Sequence, residues 1–143
     1  DDAMLLAEFY MKSGNRKEAI MLSDKISNTH PDLKEEIEED VIKLYLRFGV
    51  YQKAIELINL YIETDSTDMI LEYMLARAYA GLNKPEEALD HLQHAESLGF
   101  DLGFVYKNDT VFDPYRSNTD WLVIGQKMNL CIESKMAKTT KQP

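Results

Sequence analysis

Cysteine and glycine are scarce in this sequence of 143 residues, which has one cysteine, Cys131, and six glycines. A single cysteine excludes an internal disulfide framework and favours a reducing compartment. The sequence also lacks a phosphate-cradling glycine loop, a nucleophile elbow and a zinc-protease helix motif. We therefore predict a protein that is not an enzyme and that uses no cofactor.

Positive charge is in the minority, because 16 Lys and Arg stand against 25 Asp and Glu, for a net charge of -9. Binding to nucleic-acid phosphates needs clustered cations, so no nucleic-acid partner is expected. Apolar runs fall far short of the roughly 20 residues that a membrane-spanning helix requires, and no signal-peptide pattern opens the sequence. These absences predict a cytoplasmic protein without a membrane partner.

The sequence does contain an internal repeat. Three segments align without gaps, and in each a tyrosine stands nine residues before an alanine. The pairs are Tyr10 and Ala19, Tyr45 and Ala54, and Tyr79 and Ala88. Gly14, Gly49 and Asn83 lie five residues before the alanines, and these residue types tolerate a positive φ at the end of a helix. The pattern predicts three pairs of helices, each joined by a tight turn.

We predict helices over residues 3–12, 16–28, 33–47, 51–64, 68–81 and 85–98. Small residues such as Ala7 and Ala76 would let the paired backbones approach closely. The tyrosines of the repeat and Leu6, Val41 and Leu75 are expected to fill the space beside them.

In these residues the sequence resembles the tetratricopeptide repeat (TPR) family. The family unit carries a hydrophobic residue, a small one, an aromatic, a glycine turn and an alanine. The third repeat matches these positions with Leu75, Ala76, Tyr79, Asn83 and Ala88. The second repeat departs at Ile42, where a small residue is usual. The resemblance implies an all-α, right-handed superhelical solenoid of helix-turn-helix repeats, at about 1–31, 35–65 and 69–99 within residues 1–100.

After residue 100 the repeat register fails, and the stretch VFDPYRSNTDW, residues 111–121, gathers aromatic and polar side chains around a proline. It resembles the closing segment of bacterial TPR proteins, which implies a helical cap over 101–137 and a disordered tail over 138–143. In this interpretation Phe112, Tyr115 and Trp121 plug the end of the solenoid and do not form a catalytic loop. A final capping helix is expected from about residue 118 to 135. Its apolar stripe would be Trp121, Ile124, Met128, Cys131 and Ile132.

The resemblance also implies a partner-binding groove on the concave face, lined by the first helix of each pair. The predicted groove residues are Glu8, Lys12, Lys43, Arg47, Ile70, Tyr73, Met74 and Arg77. Lys43 and Arg77 occupy equivalent positions, so they could form a basic stripe that favours an acidic peptide. The alternative is that these cations pair with Glu39, Glu36 or Glu8.

One helix carries a candidate metal site, because Glu87, His91 and His94 share a face. Three ligands from one helix make a weak site, and a solvated polar face with a contact between Asp90 and His94 is the alternative that we favour. No metal is therefore expected.

The first predicted helix is apolar on nearly every side, in the sequence AMLLAEFYM over residues 3–11. A helix that is hydrophobic all round is usually buried. We therefore expect either upstream repeats before Asp1 or a homodimer or other partner that covers this face.

Together these patterns predict a non-catalytic protein-protein interaction module that binds a peptide or a helix of a partner on its concave face. The alternative is the C-terminal segment of a larger regulatory or enzymatic protein, used for intramolecular docking or self-association.

Overall fold

The computed structural model describes residues 2–63, 67–119, 121–123 and 126. This part of the chain is all-α, with seven α-helices, two short 3₁₀ helices and no strand. The α-helices are α1 Asp2–Lys12, α2 Arg16–Thr29, α3 Lys34–Arg47, α4 Tyr51–Ile62, α5 Met69–Gly81, α6 Pro85–Ser97 and α7 Leu102–Asn108. The 3₁₀ helices are Pro31–Leu33 and Thr110–Tyr115. The predicted all-α class and the first six predicted helices are confirmed. In the described residues no helix combines the length and the apolar character needed to cross a bilayer.

Three tight turns join α1 to α2, α3 to α4 and α5 to α6, and they share one geometry. Gly14, Gly49 and Asn83 all have a positive φ, at 82°, 73° and 59°. In each turn the next residue donates its backbone N–H to the carbonyl of the tyrosine five residues earlier, over 2.8 to 3.0 Å. This hydrogen bond closes the end of the first helix and reverses the chain. The predicted turn residues are therefore confirmed.

The chain divides into two compact units, Asp1–Ser66 and Thr67–Pro143. In the first unit α1 packs on α2, α3 packs on α4, and α2 contacts α3. In the second unit α5 packs on α6, and the 3₁₀ helix Thr110–Tyr115 lies against α5. The predicted division at residues 100 and 137 stays a prediction, and the predicted tail over 138–143 lies outside the described residues.

The alanines that were predicted to lie between paired helices are buried. The fully buried ones include Ala7, Ala19, Ala54, Ala76 and Ala88. Val41 and Leu75 are buried beside them, but the prediction for Leu6 is wrong, since 43% of this side chain is exposed. The reason is its direction: Ala7 and Met11 form the buried side of α1, and Leu6 lies outside that side.

The segment after α7 closes the core of the second unit. Phe112, Tyr115 and Trp121 are buried with α5 and α6, and the rings of Phe112 and Trp121 lie 5.0 Å apart between centroids. The Tyr115 hydroxyl donates a hydrogen bond of 2.6 Å to the carbonyl of Ala80. The Arg116 Nε donates to the Asp113 carboxylate over 2.6 Å. These contacts show that Phe112, Tyr115 and Trp121 pack in the core of the second unit, while the expected helix beyond residue 123 lies almost wholly outside the described residues.

Candidate partner-binding site

A groove in the first unit lies between α1 and α3 and encloses about 340 Å³. Apolar side chains and charged ones share its lining. The lining residues are Met4, Leu5, Glu8, Asp40, Lys43, Leu44 and Arg47. Three of the predicted groove residues, Glu8, Lys43 and Arg47, are therefore brought together here.

The Glu8 carboxylate connects the two helices that border this groove. One oxygen lies 2.8 Å from the Lys12 Nζ within α1, and the other lies 2.9 Å from the Arg47 Nη2 on α3. Hydrogen bonds from Lys12 and then from Arg47 lower the pKa of Glu8 below its ordinary value. Lys12 does not line the groove, but it pairs with Glu8, which does.

Lys43 stands on the α3 side of the groove and pairs within its own helix. Its Nζ lies 2.7 Å from the Glu39 carboxylate and 3.7 Å from that of Asp40. The hydrogen bond to Glu39 raises the pKa of Lys43. The pairing with Glu39 is the one that the sequence offered as the alternative to a basic stripe. About half of the Lys43 side chain stays exposed, so it remains accessible to a ligand.

Three of the four predicted groove residues of the second unit, Tyr73, Met74 and Arg77, are engaged with its own structure. The Tyr73 hydroxyl donates a hydrogen bond to Asp109, and burial followed by this hydrogen bond raises the pKa of Tyr73. The Arg77 Nε lies 3.0 Å from the same carboxylate, close enough for an ion pair but without the alignment of a hydrogen bond. Met74 is buried, whereas Ile70 is largely exposed. A stripe that joins Lys43 to Arg77 stays a prediction.

A buried carboxylate that the sequence prediction missed lies at Glu72 on α5. Only 3% of this residue is exposed, and its oxygens lie 2.7 Å from the Nδ1 of His91 and 3.2 Å from the Nδ1 of His94. The ring of His91 also stacks in parallel on that of Tyr79. His94 was expected to contact Asp90 on its own helix, and its contact with Glu72 joins α6 to α5. In the described residues no group of three or more His, Cys, Asp or Glu could hold a metal ion.

The outer face of α1 exposes large apolar side chains to solvent. Leu5 and Phe9 are 65% and 61% exposed, and Leu6 lies beside them. With Asp2, Lys12 and Ser13, these residues form what we call the α1 face. The apolar surface that the sequence predicted for the first helix is thus real, and it is uncovered within the described residues.

Comparison with known proteins gives one distant relationship. The chain is 34% identical over 98 residues to the signal recognition particle receptor FtsY of Aquifex aeolicus (strain VF5). The match covers 68% of this chain and 19% of the relative, so the chain spans about a fifth of the length of that protein. No protein-family model and no solved structure matches the chain.

This relationship overturns the identification as a TPR protein with a bacterial TPR cap, which is wrong. The tyrosine-to-alanine spacing and the turn residues carried that resemblance. They are also what closely packed helical hairpins with a left-handed turn residue require in general. The pattern therefore reported the local geometry correctly and the family incorrectly.

Proposed function

We propose that this chain is a non-catalytic docking segment of a larger protein, and that the groove between α1 and α3 holds another segment of that same protein. The observation that carries the proposal is the groove itself, in which the apolar side chains of Met4, Leu5 and Leu44 lie beside paired charges. The match to about a fifth of a longer relative supports the larger protein. Because that relative is a signal recognition particle receptor, we propose a receptor of that class as the larger protein.

The electrostatics of the groove favour recognition over acid-base chemistry. The pKa of the acid Glu8 is lowered and that of the base Lys43 is raised, so both groups are held in their charged forms at neutral pH. A general acid or base needs a pKa close to the working pH. Charges that are fixed in pairs beside an apolar surface instead select the orientation and the charge of a bound segment.

A separate partner peptide is the second candidate for this groove. Arg47 is 57% exposed even though it pairs with Glu8, and a guanidinium has five N–H donors. It can therefore pair with an acidic residue of a ligand. The right-handed superhelical continuation of the helix pairs stays a proposal beside this one, and a crystal structure of the longer protein would test it.

Hydrogen exchange of α1 and α3 tests the docking proposal. Their amides should exchange more slowly in the full-length natural protein than in the 143-residue chain, because a docked segment would cover the groove. Lys43→Glu should remove this additional protection, since it reverses a charge that lines the groove. The matched control is Lys53→Glu on α4, where Lys53 pairs with Glu56 outside the groove.

Equal exchange of α1 and α3 in the long and short proteins would contradict intramolecular docking. In that case an acidic peptide that slows exchange of the same helices in the wild type, but not in Lys43→Glu, would support the second candidate. No protection from either source would exclude both.

A further inference from the structure

We propose that the α1 face binds a second copy of this chain. The two α1 helices would be antiparallel, with the twofold axis crossing the α1 face at the level of residue 7. This inference goes beyond the groove, because Leu6 and Phe9 do not line it, although Leu5 belongs to both surfaces. Its starting point is the division of α1 into two sides. Ala7 and Met11 are buried in the first unit, whereas the α1 face is exposed along the whole helix.

The spacing of the α1 face suits a helical partner. Asp2, Leu5, Phe9 and Lys12 follow one another at intervals of three, four and three residues. This is the spacing of the seam along which two helices interlock their side chains. Leu6 lies beside the seam and widens its apolar centre. The seam therefore has a large apolar centre and one charge at each end.

The order of the charges determines the direction of the partner. About a twofold axis near Ala7, an antiparallel copy sets Leu5 opposite Phe9 and Asp2 opposite Lys12. A parallel copy would set Asp2 opposite Asp2 and Lys12 opposite Lys12, which is repulsive. Lys12 pairs with Glu8 in its own helix, but it is 64% exposed and can approach a second carboxylate. The face is thus complementary to itself in one direction.

This complementarity is the reason for choosing a second copy over an unrelated helix. A twofold interface uses the same patch on both subunits, so each residue type on the patch must find its counterpart on that patch. Leu5 with Phe9 and Asp2 with Lys12 satisfy that condition. A contact of two helices of 11 residues is small, so we expect a dimer that forms reversibly with concentration.

Sedimentation equilibrium of the full 143-residue chain tests the proposal. The mass should rise with concentration from 16.5 kDa towards twice that value. Phe9→Ser should hold the protein at the monomer mass over the same range. The control is Phe104→Ser on α7, which removes a similarly exposed aromatic ring and should leave the dimer unchanged. Circular dichroism would check that each variant remains helical.

Disulfide trapping tests the direction of the helices. In a Cys131→Ser background, a mixture of Leu5→Cys and Phe9→Cys chains should oxidise mainly to the mixed dimer. In a parallel pair, position 5 would lie opposite position 5, so the main product would instead link two Leu5→Cys chains. Preference for that product would overturn the antiparallel arrangement.

Two further outcomes would overturn the dimer itself: a wild type that stays monomeric at every concentration, or a dimer that Phe9→Ser leaves intact. The groove proposal is tested separately, since Lys43→Glu should not change the mass. Phe9→Ser, in turn, should leave the hydrogen-exchange protection of α3 in the longer protein unchanged.

Discussion

The two units of this chain use their charged residues in different ways. In the first unit the ion pairs of Glu8 and Lys43 lie at the surface, beside a groove. In the second unit the carboxylates of Glu72 and Asp109 are buried and are surrounded by their own donors. A buried charge must be satisfied where it stands, whereas a surface pair can exchange partners. The difference indicates that the Glu72 and Asp109 carboxylates maintain the fold of the second unit, whereas the pairs of Glu8 and Lys43 leave charge at the surface beside the groove.

The apolar surfaces differ in the same direction. The second unit covers its helix pair with Phe112, Tyr115 and Trp121. The first unit leaves Leu5 and Phe9 exposed on α1. Large exposed apolar side chains that lie together commonly mark a contact site. Both comparisons favour the proposal that partner contacts lie on the first unit.

The largest effect should come from the covering residues of the second unit. Phe112 is 1% exposed, so Phe112→Ala should lower the free energy of unfolding by about 3 to 5 kcal/mol. Phe9→Ala, the same change on the exposed α1 face, should cost less than about 0.5 kcal/mol under conditions where the chain is monomeric. Urea unfolding followed by circular dichroism would measure both. Equal losses of unfolding free energy for the two variants would mean that Phe9 is as well covered in the first unit as Phe112 is in the second.

The second prediction compares a buried carboxylate with an exposed one. Asp109→Ala should cost about 3 kcal/mol, because it leaves the Tyr73 hydroxyl without its acceptor and Arg77 without its ion-pair partner in a partly buried site. Glu39→Ala should cost less than about 1 kcal/mol, because its pair with Lys43 is exposed to water. Urea unfolding of both variants at low and high salt would measure the difference. A similar small loss for both would mean that the Asp109 network contributes little to the fold.

The helices and turns could be predicted from sequence because their causes are local. Gly14, Gly49 and Asn83 favour a positive φ, and hence a tight turn, whatever the rest of the fold is. The contact of Glu72 with His91 and His94 escaped prediction because these residues stand 19 or more positions apart and meet only when α5 packs on α6. Sequence could name Glu8, Lys43 and Arg47, which line one groove, because charged residues recur along the first helices, but it could not give their pairing, which depends on distances between helices. Leu6 failed for a similar reason, because the apolar α1 sequence does not reveal which side is buried.

The smallest predicted effect concerns two tyrosines, one in each unit. Burial, and then the nearby Asp24 carboxylate, raises the pKa of Tyr45 to about 12, and the hydroxyl lies near Ser23 and Asp24 without a well-aligned hydrogen bond to either. Tyr45→Phe should therefore change the free energy of unfolding by less than about 1 kcal/mol at pH 7. Tyr73→Phe should instead lower the free energy of unfolding by about 1 kcal/mol, because it removes a hydrogen bond to the buried Asp109.

The pH dependence of unfolding separates the Tyr45 hydroxyl from its ring. The folded-state pKa of Tyr45 lies above the ordinary value of 10, so folding favours the neutral form. Its contribution to stability is complete below pH 10 and is lost as the pH rises from 10 to about 12, where the unfolded chain ionises first. Tyr45→Phe cannot ionise and should lose less stability than the wild type over this interval. Urea unfolding at several pH values would measure the free energy of unfolding of both proteins. If the two values fall in parallel from pH 10 to about 12, the Tyr45 hydroxyl is not buried in the first unit.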